Sequence, residues 1–245
     1  FVSFLIGKQT KVSEKKDDYF LGGRKIGLAQ LTLTFLATQL GGGVILGTLE
    51  ASYSHGLYSL LYGVGLSLGL IILSFGLGAK FRRLNISTIS EIFEKIYESQ
   101  SLRKTSSVIS VVSLFLILVA ICVSSEKLFI SLGFQNKALF VTFWLATTYY
   151  TVMGGYKAVV KTDVLQVGFI LICFLVLGAY LFTEGRIDLS PTTNFVQAES
   201  NQTFPWFSWL ISPLFFVIIG QDMGQRCFSA QSEKTVSKAC FYAGI

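Results

Sequence analysis

Six stretches of this chain, residues 26–49, 56–79, 105–125, 138–156, 164–183 and 200–221, contain no Asp, Glu, Lys or Arg. Each meets the roughly 20 apolar residues that a helix needs to cross a bilayer. In hydrocarbon every backbone N–H and C=O must be satisfied by the protein itself, so only helices and closed barrels span a membrane. A barrel would show segments of about ten residues with strict alternation, and a run such as 111–123 shows none. The chain is therefore an all-α, polytopic membrane protein. Composition agrees: 52% of the residues are hydrophobic, 14% are charged, and the 22 Phe are spread along the chain instead of gathered around one core.

The ends of the chain are apolar as well. Residues 1–7 read as the end of an additional N-terminal transmembrane helix, and residues 239–245 read as a helix just starting, so a fragment of a longer protein is expected. If the spans alternate from that first helix, 17 of the 20 basic residues fall on one side and only Lys127, Lys137 and Arg186 on the other. The positive-inside rule makes the Lys/Arg-rich side cytoplasmic and places the protein, multi-pass, in the plasma membrane. The net charge of +6 then reflects topology, and nucleic-acid binding is not expected.

Within the first span lies Ala37-Thr38-Gln39-Leu40-Gly41-Gly42-Gly43. Each glycine costs a helix interior roughly 1 kcal/mol relative to alanine, and backbone groups freed inside a bilayer need protein, water or ion partners. A helix interrupted here would make an ion or solute site. Gly43 and Gly47 also form the small-xxx-small spacing that lets membrane helices pack closely, so composition alone leaves both readings open.

Other features are less specific. Cys122, Cys173, Cys227 and Cys240 form no CxxC pair and have no histidine beside them, which points to small apolar packing residues instead of metal or disulfide chemistry. His55 lies near Glu50 and Tyr53 and reads as interfacial. Ile89, Ile92, Phe93 and Ile96 share one helical face, with Glu91, Glu94, Lys95 and Glu98 on the other. That pattern fits a helix on the membrane surface or a connector packed on its neighbours. Ser212-Pro213 marks either a break or a kink in the last span, since proline removes a backbone donor. Residues 8–25 read as a cytoplasmic linker and 184–204 as an extracellular loop. No phosphate-binding loop, nucleophile or metal cluster is evident, so the chain does not read as an enzyme.

Three motifs carry a resemblance: Asp18-Tyr19-Phe20-Leu21-Gly22-Gly23-Arg24 with the glycine segment after it; Tyr150-Thr151-Val152-Met153-Gly154-Gly155-Tyr156-Lys157-Ala158-Val159-Val160-Lys161-Thr162-Asp163-Val164-Leu165-Gln166; and Gln221-Asp222-Met223-Gly224-Gln225-Arg226-Cys227-Phe228-Ser229-Ala230. In this order the chain resembles the sodium:solute symporter family, which includes Na+/proline, Na+/pantothenate and Na+/glucose symporters. The resemblance implies a five-plus-five inverted-repeat fold like that of bacterial leucine transporters. Residues 26–183 would be the first five-helix repeat, and 205–245 the start of a truncated second repeat.

By the same resemblance, the backbone carbonyls of Ala37 and Leu40 bind Na+, and Gln39 and Asp163 lie on the cation path. Asp163 also stands within reach of Lys157 or Lys161, or as a helix cap. Substrate contacts map to Gly42, Gly43, Tyr62, Phe216, Gln221 and Asp222, although Tyr62 and Phe216 also suit plain packing. The implied activity is Na+-coupled secondary active symport of a small organic solute by alternating access, with Na+ as coupling ion and no other cofactor. Alternatives are a transporter-like sensory input domain of a signalling protein, or a uniporter or leak channel.

Overall fold

The computed structural model describes residues 16–185 and 206–245. The expected helix end at 1–7, residues 8–15 of the linker and residues 186–204 of the loop lie outside them. Among the described residues are eleven α-helices: α1 Lys16–Leu21, α2 Leu28–Gln39, α3 Gly42–His55, α4 Leu60–Ile72, α5 Gly78–Leu84, α6 Ser90–Tyr97, α7 Gln100–Ser131, α8 Lys137–Thr183, α9 Trp206–Ile219, α10 Gln221–Ser229 and α11 Glu233–Gly244.

Three uninterrupted helical runs, Gly42–Arg83, Gln100–Ser131 and Lys137–Thr183, are long and apolar enough to cross a membrane, and the bent pair α9 and α10, at 44°, makes a fourth. The first and third run 42 and 47 residues. Straight, they would extend about 63 and about 70 Å at ~1.5 Å per residue, twice the roughly 30 Å of hydrocarbon. Both are bent at glycines with a positive φ, which L side chains adopt at a cost: the first at Gly56 (φ 56°, ψ −135°) between α3 and the turn into α4 and again at Gly76 (φ 112°, ψ −11°) between α4 and α5, the third at Gly155 (φ 58°, ψ −164°) inside α8. The sequence separates spans at 138–156 and 164–183 by a charged connector; that connector is itself helical, and the interruption shrinks to Gly155. A Cβ there would lie 2.9 Å from the Tyr19 ring and 3.0 Å from its carbonyl oxygen, so α1 approaches α8 where no side chain stands in the way.

Helix α4 is the hub. A Cβ on Gly65 would sit 2.3 Å from the Leu210 carbonyl oxygen, and one on Gly69 would sit 2.8 Å from that of Leu214. Gly65 and Gly69 thus form the small-xxx-small seam that draws α4 and α9 together. Nothing lies within 4 Å of the equivalent positions on Gly43 and Gly47. On its other side α4 meets α11, where a Cβ on Gly244 would stand 3.0 Å from the Ser67 carbonyl oxygen. Leu66, Leu70, Leu73, Val217, Val236, Cys227 and Cys240 fill the core between them. By contrast, no residue of α7 is buried, and its Val, Ile, Leu and Phe side chains face outward, as lipid-contacting residues do.

Two alternatives left open by the sequence take definite form. Helix α9 continues through Pro213, because one proline removes a single backbone bond and its ring seats against Gly65. The break falls instead at Gly220, in an extended conformation (φ −63°, ψ 131°). Helix α6 is formed as anticipated and acts as a docked connector: Ile89 and Ile92 pack with Leu21, Ile86 and Phe228, while the Gln221 side-chain oxygen accepts from the Ile89 N–H at 2.8 Å.

Glycines at a backbone contact and glycines in open space should respond differently to a larger side chain. Gly69→Leu is expected to lower the thermal unfolding midpoint of the detergent-solubilised protein by several degrees, since overpacking costs about 1–3 kcal/mol or more. Gly47→Leu should leave it nearly unchanged, both measured by tryptophan fluorescence.

Candidate functional site

The first span is interrupted where the glycine segment places the break. The α2 ladder ends with the Leu40 N–H on the Leu36 carbonyl at 2.8 Å, and the next ladder opens with the N–H groups of Val44 and Ile45 both on the Gly41 carbonyl at 3.0 Å. Leu40 (φ −82°, ψ 40°) and Gly41 (φ −73°, ψ 159°) are not helical. The carbonyls of Ala37, Thr38, Gln39 and Leu40 fall between the two ladders, as the last carbonyls of any helix do. Open space surrounds the Cβ positions of Gly41, Gly42 and Gly43, so no neighbour forces the break. Weak helix propensity suffices. Helix α2 has 12 residues, about 18 Å, so the span needs both α2 and α3.

One turn back from this break a buried charge cluster joins three helices. Thr34 of α2 donates its hydroxyl to Asp163 of α8. The Arg226 Nη2 of α10 stands 3.6 Å from the same carboxylate oxygen. The Arg226 Nε donates to the Thr34 carbonyl at 3.1 Å, and its Nη1 to the Asp222 carbonyl at 3.0 Å. All three side chains are buried. The lysines close to Asp163 in sequence play no such part, for Lys157 pairs with Asp18 of α1 at 3.3 Å. Gln39 is buried too, its amide nitrogen 3.7 Å from the Met223 sulfur. Met223 and Arg226, three apart on α10, therefore touch the two residues assigned to the cation path.

Backbone pairing holds this arrangement. The Ile26 N–H donates to the Ser229 carbonyl at 3.2 Å, and the Gln231 N–H to the Ile26 carbonyl at 3.1 Å. The Tyr156 and Ser229 hydroxyls are 3.2 Å apart. Around this point Arg24 meets Asp17, Arg82 meets the Ala230 carbonyl, Arg83 meets Glu233 and Arg103 meets Glu94. Arg82 and Arg83 thereby tie α5 to the junction of α10 and α11, while Arg24 and Arg103 pair with residues close by in sequence.

Five of the six expected substrate contacts divide between two cavities. Gly43 and Tyr62 line one of about 430 Å³, with Val44, Gly47 and Thr48 of α3 and Ser208, Trp209, Ser212 and Pro213 of α9. Phe216, Gln221 and Asp222 line another, of about 650 Å³, between α6, α7 and the α9–α10 break, where Ser106, Ser110 and Ser113 add hydroxyls. Gly42 lines neither. Thr34, Arg226, Trp209 and Ser212 are the additions that sequence reasoning did not single out for the site. For Arg226 a signal existed: it is a cation within the third motif, at helical spacing from Met223.

Comparison with known proteins follows the same lines. The model of the sodium:solute symporter family matches residues 19–245. Similar proteins include the high-affinity choline transporter 1 of Caenorhabditis elegans, 25% identical over 97% of this chain and 42% of its own length. The sodium-coupled monocarboxylate transporter 2 of Bos taurus is 24% identical over 98% of this chain and 41% of its own. The sodium/pantothenate symporter of Escherichia coli strain K12 is 29% identical over 61% and 32%, respectively. The chain thus spans about two fifths of the length of the curated relatives that it matches most fully.

Removing one member of a buried ion pair leaves the other uncompensated, at a cost of about 3–5 kcal/mol. Arg226→Met and Asp163→Leu are each expected to lower the thermal midpoint markedly, while the double variant Asp163→Leu/Arg226→Met recovers a large part of the loss. The coupling is read from a double-mutant cycle of melting curves.

Proposed function

This chain belongs to the sodium:solute symporter family, and on that footing we propose that it works in Na+-coupled uptake of a small organic solute across the plasma membrane by alternating access. The family is one of transporters, not enzymes. The observation that carries the reading is the interrupted first span, which frees the Ala37 and Leu40 carbonyls beside a buried Gln39. A hard cation takes several oxygen ligands, and released carbonyls supply them without burying a net negative charge. Discontinuous helices at midplane are the way such transporters build their ion and solute sites.

In this reading Na+ enters from the outer side, binds at the α2–α3 break and favours the outward-open arrangement, in which solute binds. A rocking movement then opens the site to the cytoplasm. Asp163 lies toward the inner end with its charge already offset by Arg226. A departing Na+ therefore competes with a guanidinium at that carboxylate, which limits how strongly the exit path retains the ion. The segments that carry Arg24, Arg82, Arg83 and Arg103 are assigned to the cytoplasmic side in this reading, in keeping with the positive-inside rule.

The driving force is adequate. One charge moving through about 100 mV gains about 2.3 kcal/mol, or roughly fifty-fold accumulation before the chemical gradient adds to it. Relatives named for choline, pantothenate and monocarboxylates support a small organic solute.

Uptake by the full-length protein in proteoliposomes, with a panel of radiolabelled solutes, is expected to require an inward Na+ gradient; uptake indifferent to Na+ would refute symport. Asp163→Asn and Gln39→Ala should each shift the Na+ concentration giving half-maximal uptake, and an unchanged Na+ dependence in both would remove these residues from the cation path.

A further inference from the structure

We infer that the 430 Å³ cavity between α3, α4 and α9 receives a small organic cation, an alkylated or quaternary ammonium. The inference deepens the symport reading and rests on it for the purpose of the site, while its chemistry comes from the walls.

Two aromatic rings make a corner in this cavity. Tyr62 and Trp209 both line it, and their ring centroids lie 6.4 Å apart with planes at 77°. A third ring, His55, meets Trp209 from α3 at 6.2 Å and 74°. The negative π-face of Trp is the best aromatic partner for an ammonium group, and alkylated ammonium ions are the ligands that such corners recognise.

The remaining wall offers oxygen. Thr48 spends its hydroxyl proton on the Val44 carbonyl at 2.6 Å. The lone pairs of that oxygen, which a hydroxyl keeps for accepting, are what it has left to present. Ser208 and Ser212 add two further hydroxyls.

Charge points the same way. None of the described residues lining the cavity is charged, so among them no Lys or Arg stands ready for a carboxylate. Glu50 lies three and seven positions beyond the lining residues Gly47 and Gly43 on α3, hence on the same helical face about one turn further out. An anion would find the backbone N–H groups where α3 begins and the hydroxyls of Ser208, Ser212 and Tyr62, with no side-chain cation among the described lining residues to support them. A cavity of this size suits a small ligand, at the lower end of the usual range of about 300–1,000 Å³.

The test compares choline and tetramethylammonium with dimethylbutanol, the uncharged isostere of choline, and with pantothenate, an anion. Equilibrium binding to the purified full-length protein in Na+ is measured by displacement of radiolabelled choline, and directly for each radiolabelled probe. The two cations should bind, with the isostere about tenfold weaker or worse. Trp209→Ala should weaken cation binding by about tenfold, with Trp209→Phe recovering part of it through its remaining π-face. Glu50→Gln, a substitution at an exposed position, should weaken binding about two- to threefold at low salt and hardly at all at high salt, where exposed charges are screened. Isostere and cation binding equally well, pantothenate binding in preference, or no probe binding at all would each overturn the inference. Uptake separates it from the broader reading. If a Na+ gradient drives pantothenate but neither cation, the symport reading stands and the cation site falls. If the cations bind but do not accumulate under the gradient, the cation site stands and symport falls.

Discussion

The guanidinium of Arg226 is the interaction on which the rest of the described structure turns. It bonds the Thr34 carbonyl of α2, the Asp222 carbonyl of its own helix and, at longer range, the Asp163 carboxylate of α8. A buried carboxylate and a buried guanidinium are each expensive to desolvate, and they persist only when paired and hydrogen-bonded. Once Arg226 is held, α10 has one place to lie. Its Met223 then covers Gln39, its Ser229 pairs with Ile26 where the first span begins, and Gly224 fits against Ile89 of the segment leading into α6. The chain break at Gly220 follows, because α9 packs along α4 in a direction that α10 does not share.

Glycine does two different physical jobs in this molecule. At Gly65, Gly69, Gly155 and Gly244 the missing Cβ makes room for a neighbouring backbone or ring, and substitution meets an atom at 3.0 Å or less. At Gly41, Gly42 and Gly43 there is nothing to make room for. There the missing side chain acts on the chain's own conformational preference, lowering the helix propensity enough to release carbonyls at midspan. The first set determines which helices touch. The second frees backbone oxygen atoms at the break in the first span.

These two uses meet at the interrupted span. Outward from the break lies an uncharged cavity walled by Tyr62, Trp209 and hydroxyl groups. On its other side lies the charge-balanced cluster of Thr34, Asp163 and Arg226. In the symport reading proposed above, the break would hold the cation between an aromatic compartment built by α3, α4 and α9 and an ionic one built by α2, α8 and α10. On that proposal, ion and solute would be linked through the α2–α3 break, which borders both compartments.

Much of this was legible in the chain. The helical class, the charge-free spans, the position of the glycine break and the amphipathic α6 all follow from local constraints: the thickness of hydrocarbon, the demand for backbone hydrogen bonds and the period of a helix. The motifs around Gly155 and Arg226 carried the family as well. The partner of Asp163 was not legible, because two lysines stand close to it in sequence, whereas Thr34 is 129 positions away. Likewise the small-xxx-small pattern occurs at both Gly43/Gly47 and Gly65/Gly69, and only the packing of α9 selects the second. The sequence left Pro213 as either a break or a kink, and the span breaks at Gly220 instead, since a proline forfeits one bond while the change of packing direction needs a residue free to leave the helix altogether. Sequence by itself determined that this chain spans a membrane and where its first span gives way, because those are local balances of solvation and propensity. Tertiary structure alone decided which charges pair, which glycines touch and which residues face one cavity, because each depends on segments that approach only after the helices have packed.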